Sequence, residues 1–236
     1  MESFEQTADR NVPARRKVVS SSVVSRGRAS SSPVGGAFKR MLDASVALIC
    51  IALFSPLFLM VALLIRMSSP GPVFYGHTRI GHGGRSFRCW KFRTMVVDGD
   101  AVLERHLATV PGARAEWEAN RKLRNDPRVT RIGQVLRDYS VDELPQLFNV
   151  LFGDMSIVGP RPVVQDELDR YGPAAAAYLA ARPGITGLWQ TSGRSDTSYE
   201  RRVELDARYV TEWSFWLDCL ILLRTVPVVL GARGAC

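Results

Sequence analysis

The stretch Ala44–Ile65 runs for 22 residues without one charged side chain. As an α-helix rising 1.5 Å per residue it would be roughly 33 Å long, enough to cross the hydrocarbon core of a bilayer. Buried helices of soluble domains rarely run so far without polar residues, so this stretch is expected to enter a membrane. Entering and crossing are different arrangements. Pro56 lacks a backbone N–H and pushes Ser55 away from helical geometry, so Ser55-Pro56 is expected to break the helix part-way. Proline also merely kinks many membrane helices, and the flanks say more. They are positive on both sides, with Arg26, Arg28, Lys39 and Arg40 before the stretch and Arg66, Arg79 and Arg85 after it. Positive charge beside a membrane segment stays cytoplasmic, so both ends are expected on one side, as in a re-entrant hairpin. Simple spanning is the alternative.

The rest of the chain reads as one folded domain. Of 236 residues, 46% are hydrophobic and 23% charged, which excludes a wholly disordered chain, a collagen or a disulfide miniprotein. Residues 1–35 stand apart as a Ser-rich, basic tail with few large apolar side chains, and are expected to be disordered. Cys50, Cys89, Cys219 and Cys236 follow no metal or disulfide spacing and read as free thiols in a reducing compartment. Short strands and turns are expected from Met67 to about Asp100, punctuated by Pro70-Gly71-Pro72 and Gly81 to Gly84. Helices are expected over residues 101–124, after Tyr139, through 174–181 and over 199–211. In the apolar run Trp213–Leu230, Trp213 and Trp216 suit an amphipathic helix lying in the membrane interface, with a core helix as the alternative. The implied organisation is a tail over 1–35, a membrane helix-break-helix over 36–66 and an α/β domain, mostly α, over 67–236.

Candidate chemistry concentrates in residues 137–162. Ser140 and Glu143 have capping-box spacing ahead of the apolar run Leu144, Leu147, Phe148 and Leu151. That places Asp142 and Glu143 in the first turn of a helix, where the helix dipole favours ionised carboxylates. Acids there are commonplace caps, so the pair alone does not establish catalysis. Its company adds weight. Arg137 lies just upstream, and Pro160-Arg161-Pro162 presents a guanidinium, the natural bidentate partner of phosphate, from a stiffened backbone. As a strand, the run Arg88 to Arg93 puts Lys91 and Arg93 on one face. Arg121, Lys122, Arg124, Arg128 and Arg131 form a further basic region, read as a solvated face, a lipid-headgroup contact or a substrate grip. Nucleic acid is disfavoured for want of any binding signature beside the charge. The three histidines are too scattered for a zinc site, and no Gly-x-Ser-x-Gly elbow appears, which leaves a carboxylate as the candidate nucleophile.

The runs KFRTM (91–95), DPRVTRIG (126–133), DELPQLFNVLFGDMSIVGPRP (142–162), RPGITGLWQ (182–190) and SGRSD (192–196) resemble the bacterial sugar transferases. These are the monotopic polyprenyl-phosphate phosphoglycosyl transferases, and the galactose-phosphate type that initiates exopolysaccharide is the nearest match. The resemblance covers roughly residues 36–236. It implies a compact catalytic domain at the cytosolic face of the bacterial inner membrane, resting on a re-entrant helix and amphipathic helices. It implies transfer of hexose 1-phosphate, galactose preferred with glucose as runner-up, from a UDP-sugar to undecaprenyl phosphate with release of UMP. By carry-over Asp142 is the nucleophile that forms a phosphosugar intermediate, and Glu143 helps hold Mg²⁺. Ser140 is then expected to cap its helix alone. Arg137 and Arg161, with Lys91 and Arg93, are expected to bind the phosphates and nucleotide. Ser55 and Pro56 match the membrane-helix break, and Lys39, Arg40 and Asp43 match a motif at headgroup level. Membrane lipids are expected partners, nucleic acid is not, and a homo-oligomer is left open. The rivals are a membrane-bound nucleotide-sugar hydrolase with water as acceptor and a non-catalytic scaffold of a polysaccharide assembly complex.

Overall fold

The computed structural model describes residues 32–120, 123–192 and 197–230. The expected disordered tail, Arg121, Lys122 and Cys236 fall largely or wholly outside them, as does most of the SGRSD run. The described chain is mostly helical with two small sheets. Helix α1 (Gly36–Ser68) leads into an antiparallel hairpin of β1 (Phe74–Ile80) and β2 (Ser86–Phe92). Then follow α2 (Gly99–Thr109), α3 (Ala113–Asn120), α4 (Arg131–Asp138) and α5 (Gln146–Phe152). Strand β3 (Ser156–Val158) pairs in parallel with β4 (Gly184–Thr186), with α6 (Gln165–Asp169) and α7 (Ala175–Leu179) between them. Helices α8 (Tyr199–Thr211) and α9 (Phe215–Leu230) complete it.

The expected break at Ser55-Pro56 does not interrupt α1, which stays helical for 33 residues. A proline at position 56 orphans the carbonyl four residues back, that of Ala52. The Ser55 hydroxyl donates to that same carbonyl at 2.9 Å and replaces the missing bond. Continuity through Pro56 therefore has a local cause, the one by which membrane helices commonly tolerate proline.

One face of α1 packs on the domain along its whole length. Ala47 sits with Leu147, Val150 and Met155, while Val61 and Ile65 pack with Phe92 and Leu136. Phe58 bridges the two clusters, its ring 5.5 Å from Phe92 and 5.7 Å from Phe148. Such aromatic pairs add about 0.5–1.5 kcal/mol beyond their area burial. The opposite face leaves Leu48, Ile49, Leu53, Leu59, Met60, Leu63 and Met67 exposed. By length and composition α1 could cross a membrane. Helix α9 is two-sided as well: Asp218 and Ile221 point inward, Trp216, Leu223 and Val226 outward. Phe215 meets Phe38 edge-on at 5.9 Å, which joins the exposed apolar faces of α1 and α9 into one patch.

Lys39, Arg40 and Asp43 are spent on protein partners. Lys39 and Asp43 are only 7% and 5% exposed. Lys39 Nζ lies 2.6 Å from Asp218 Oδ2, and Asp43 accepts from Ser156 Oγ and the Ile157 N–H. Asp218 also accepts from Tyr209 and Trp213. Arg40 donates to the carbonyls of Val150 and Leu151 at the end of α5. Burial in an amphipathic interior demands that each charge be paired, and this knot does so.

The single helix expected over 101–124 is divided at Pro111-Gly112. Gly112 takes the left-handed φ of +82°, which a residue with a side chain adopts at a cost. Helix α4 was not anticipated. Thr130 caps it by accepting from the Gly133 N–H, and Gly133 approaches the Thr94 carbonyl so closely that a Cβ would stand 2.1 Å from its oxygen.

Candidate active site

Three elements meet at Asp142. Strand β2 brings Lys91, the loop after it brings Thr94, and a single 3₁₀ turn, Val141–Glu143, carries the two carboxylates. The capping box is not formed. Ser140 has φ +56° and makes no side-chain cap bond, and α5 begins only after Pro145, a residue suited to a helix start. Ser140 is the one non-glycine with positive φ among the described residues, and it sits next to the carboxylates. Such backbone costs on the order of 1–3 kcal/mol and collects at functional sites.

Lys91 Nζ is 2.6 Å from Glu143 Oε1 and 3.7 Å from Asp142 Oδ2. Asp142 is 8% exposed. Burial pushes its carboxyl above the ordinary carboxylate range, with Lys91 pulling it down, Glu143 pushing it up and Arg137 pulling it down. The helix dipole expected to keep it ionised is absent, because the turn precedes α5. Lys91 supplies the compensation instead. Burial disfavours its own ammonium, but Glu143 and Asp142 outweigh that and raise its pKa.

Asn149 makes this arrangement rigid, and sequence reasoning missed it. It is buried, accepts from the Trp90 N–H at 2.9 Å and donates to the Arg88 carbonyl at 2.7 Å. One side chain of α5 thereby replaces a missing strand at the edge of β2 and fixes Lys91 against the dyad. The signal was an asparagine inside the apolar run Leu147–Phe152. Thr94 plays a similar part for Arg137, accepting from its Nε at 3.0 Å. The Arg137 Nη groups have no partner among the described residues and remain available to an anion.

Arg161 lies against Trp189, its guanidinium 5.6 Å from the ring centroid, with Arg202 at 4.8 Å from the same ring. Arg161 also acts electrostatically on the Cys89 thiol, as do Lys91, Glu143 and Arg79. Arg93 does not join it. The strand ends at Phe92, and Arg93 Nη2 donates to the Ser69 carbonyl at 2.8 Å while Nη1 reaches Pro70, closing the end of α1. Arg128, from the expected basic region, is paired with Asp126 at 2.6 Å and stacked on Trp117.

A buried carboxylate held by a lysine, beside a second carboxylate and an arginine with unspent donors, can attack or grip a phosphorus centre. The family model for bacterial sugar transferases matches residues 34–232. The chain belongs to the bacterial sugar transferase family. It is 55% identical over 203 residues to the exopolysaccharide production protein ExoY of Rhizobium meliloti, covering 86% of this chain and 90% of that protein. It is 50% identical over 198 residues to an undecaprenyl-phosphate galactose phosphotransferase of Salmonella typhimurium, covering 84% of this chain but 41% of the longer protein. A UDP-glucose:undecaprenyl-phosphate glucose-1-phosphate transferase of Caulobacter vibrioides is 45% identical over 207 residues, covering 84% of this chain and 71% of that one. The bacterial sugar transferase model spans all of α1 and the dyad turn, so anchor and site are parts of one family unit.

Proposed function

We propose that this bacterial sugar transferase moves hexose 1-phosphate, with galactose preferred over glucose, from a UDP-sugar to undecaprenyl phosphate, releasing UMP and starting an exopolysaccharide repeat unit. The observation that carries the reading is the triad of Lys91, Asp142 and Glu143, seated on a domain whose apolar face is continuous with α1. Relatives named for galactose and glucose phosphate transfer support the hexose class.

In the first step an Asp142 carboxylate oxygen attacks the sugar-bearing phosphorus. The bond from that phosphorus to the bridging oxygen breaks, and UMP leaves with the electron pair. In the second step a phosphate oxygen of undecaprenyl phosphate attacks the same phosphorus, freeing the Asp142 carboxylate and forming the diphosphate-linked sugar. Lys91 keeps Asp142 ionised against its burial, and Arg137 and Arg161 neutralise the diphosphate. Phosphoryl transfer is chiefly positioning and charge neutralisation, which these groups supply.

The residues fit Mg²⁺ in its usual manner. Among the described residues no cluster of three or more His, Cys, Asp or Glu could enclose a metal. Mg²⁺ needs only one or two carboxylates when substrate phosphates and waters complete its shell. Glu143 has one oxygen on Lys91 and is partly exposed, so it and Asp142 are the residues that would hold the ion. Bound there, the metal would add positive charge at the diphosphate.

The membrane arrangement we propose is re-entrant and cytoplasmic-facing. Lys39 near one end of α1 and Ile65 near the other both fasten to the same domain. That favours a helix that dips into one leaflet over one that carries its far end across.

The test is intact mass after exposure to Mg²⁺ and UDP-galactose or UDP-glucose without lipid. The expected result is a gain of one hexose phosphate, absent in Asp142→Asn and chased off by undecaprenyl phosphate. Steady UMP release without any lipid would point to a hydrolase. UMP release only with lipid, and never an adduct, would remove Asp142 from the nucleophile role.

A further inference from the structure

Beside Arg161 lies a small cavity of about 30 Å³, lined by Arg161, Glu167, Tyr171, Trp189, Arg202 and Asp206. Asp206 comes from α8 and is only 1% exposed. Its Oδ2 accepts from the Tyr171 hydroxyl at 3.0 Å. Two buried polar atoms in this lining have no hydrogen-bond partner among the described residues: Asp206 Oδ1, an acceptor, and Trp189 Nε1, a donor. Buried polar atoms are almost always satisfied, so an unspent carboxylate oxygen beside two arginines calls for a reason.

The remaining charged and titratable groups facing Asp206 are few. Glu167 of α6 and Tyr199 and Arg202 of α8 line the cavity, and Tyr178 of α7 stacks edge-on against Tyr171. Arg170 lies over the Tyr199 ring. Arg161 is the cation whose charge acts on Asp206 most directly.

We infer that Asp206 is a positioning residue for Arg161, competing with substrate for its guanidinium across the cavity that both line. The inference rests on the proposed contact between Arg161 and the substrate diphosphate. Ionised, the carboxylate draws part of the guanidinium's attraction inward. Protonated at the unpartnered Oδ1, it keeps the Tyr171 hydroxyl bond at Oδ2 and leaves the whole of that charge to the diphosphate. Binding of the anionic substrate and protonation of Asp206 therefore favour each other, as linkage requires. Burial, opposed by the Tyr171 hydroxyl bond and by Arg161, pushes the Asp206 carboxyl up to about 7, so the exchange falls in an accessible pH range.

The experiment is steady-state kinetics of the full chain in detergent micelles, with UDP-sugar and undecaprenyl phosphate, across neutral pH. In the wild type, KM for the UDP-sugar rises about fivefold as pH climbs through the Asp206 titration, a typical coupling between sites. Asp142, which attacks, moves kcat instead, so the split between KM and kcat separates the two carboxylates. Asp206→Asn, which keeps acceptor geometry but cannot ionise, gives a KM that is low and flat with pH. Tyr171→Phe removes a bond that favours the ionised form and moves the rise in KM to higher pH. Coincident KM–pH curves for the wild type and both variants would overturn the inference. Arg161→Ala separates its failure from that of the underlying reading. Unchanged KM in that variant discards the diphosphate contact and the inference together. Raised KM there, with Asp206→Asn still matching the wild type, discards the inference alone.

Discussion

Replacing Lys91 with Met keeps the aliphatic stem and deletes the ammonium. In the wild type that ammonium is 2.6 Å from Glu143 and 3.7 Å from Asp142. Unit charges about 4 Å apart interact by about 4 kcal/mol at an effective dielectric of 20. The Lys91 side chain keeps 34% of its surface exposed, and solvent screening reduces the figure to about 1–2 kcal/mol. The loss falls on Asp142, whose pKa burial already raises and Glu143 raises further, with Lys91 the largest counterweight. Asp142 attacks only when ionised, so activity disappears as pH falls through its raised pKa, and removing Lys91 moves that limb to higher pH. On that acid limb, kcat should fall about tenfold, the equivalent of about 1.4 kcal/mol. The assay is initial UMP release against pH, with adduct mass in parallel and Lys91→Arg as the control that keeps the charge. A Lys91→Met enzyme with wild-type kcat and an unmoved acid limb would refute the electrostatic role.

Three further outcomes are expected. Lys39→Met strands Asp218 and Asp43 inside the domain, a loss of about 3–5 kcal/mol; thermal unfolding in detergent should show Tm lower by about 10 °C, and an unchanged Tm would dismiss the knot as a stabilising feature. Asn149→Leu leaves the Trp90 N–H and Arg88 carbonyl unpaired at about 1–3 kcal/mol each, so stability and kcat should fall together. A variant that loses stability but keeps kcat would show that β2 does not need Asn149 to present Lys91. Asp206 binds a proton more tightly folded than unfolded, so its contribution is full at low pH and is lost as pH rises from about 4 to about 7. Relative to Asp206→Asn, the wild type should lose stability over that window, by at most about 4 kcal/mol; parallel curves in denaturant titrations would reject the assignment.

What could be read from the sequence was carried by long patterns. Helix α8 falls on the expected residues 199–211. The pairing of Asp142 with Glu143 was visible, but their turn was not. Ser140 and Glu143 have the right spacing for a cap, yet Pro145 moves the helix start downstream and leaves the acids on a 3₁₀ turn. Alternation put Lys91 and Arg93 together, and the end of β2 at Phe92 parted them. The knot around Lys39 was illegible for another reason. Local sequence shows only the Lys39–Asp43 spacing, whereas Asp218, Tyr209 and Ser156 arrive through the packing of α1 against β3 and α9. Helix α4 escaped because eight residues with two apolar turns give periodicity too little length.

The ion pair that closes this knot joins residues 179 positions apart. A ribosome adding about 5–20 residues per second delivers Asp218 roughly 10–40 s after Lys39. Throughout that interval Lys39 lacks Asp218, while Asp43 gains Ser156 once a further 113 residues have been made. The charged end of α1 therefore acquires its partners in sequence and completes its pairing only when α9 has been made.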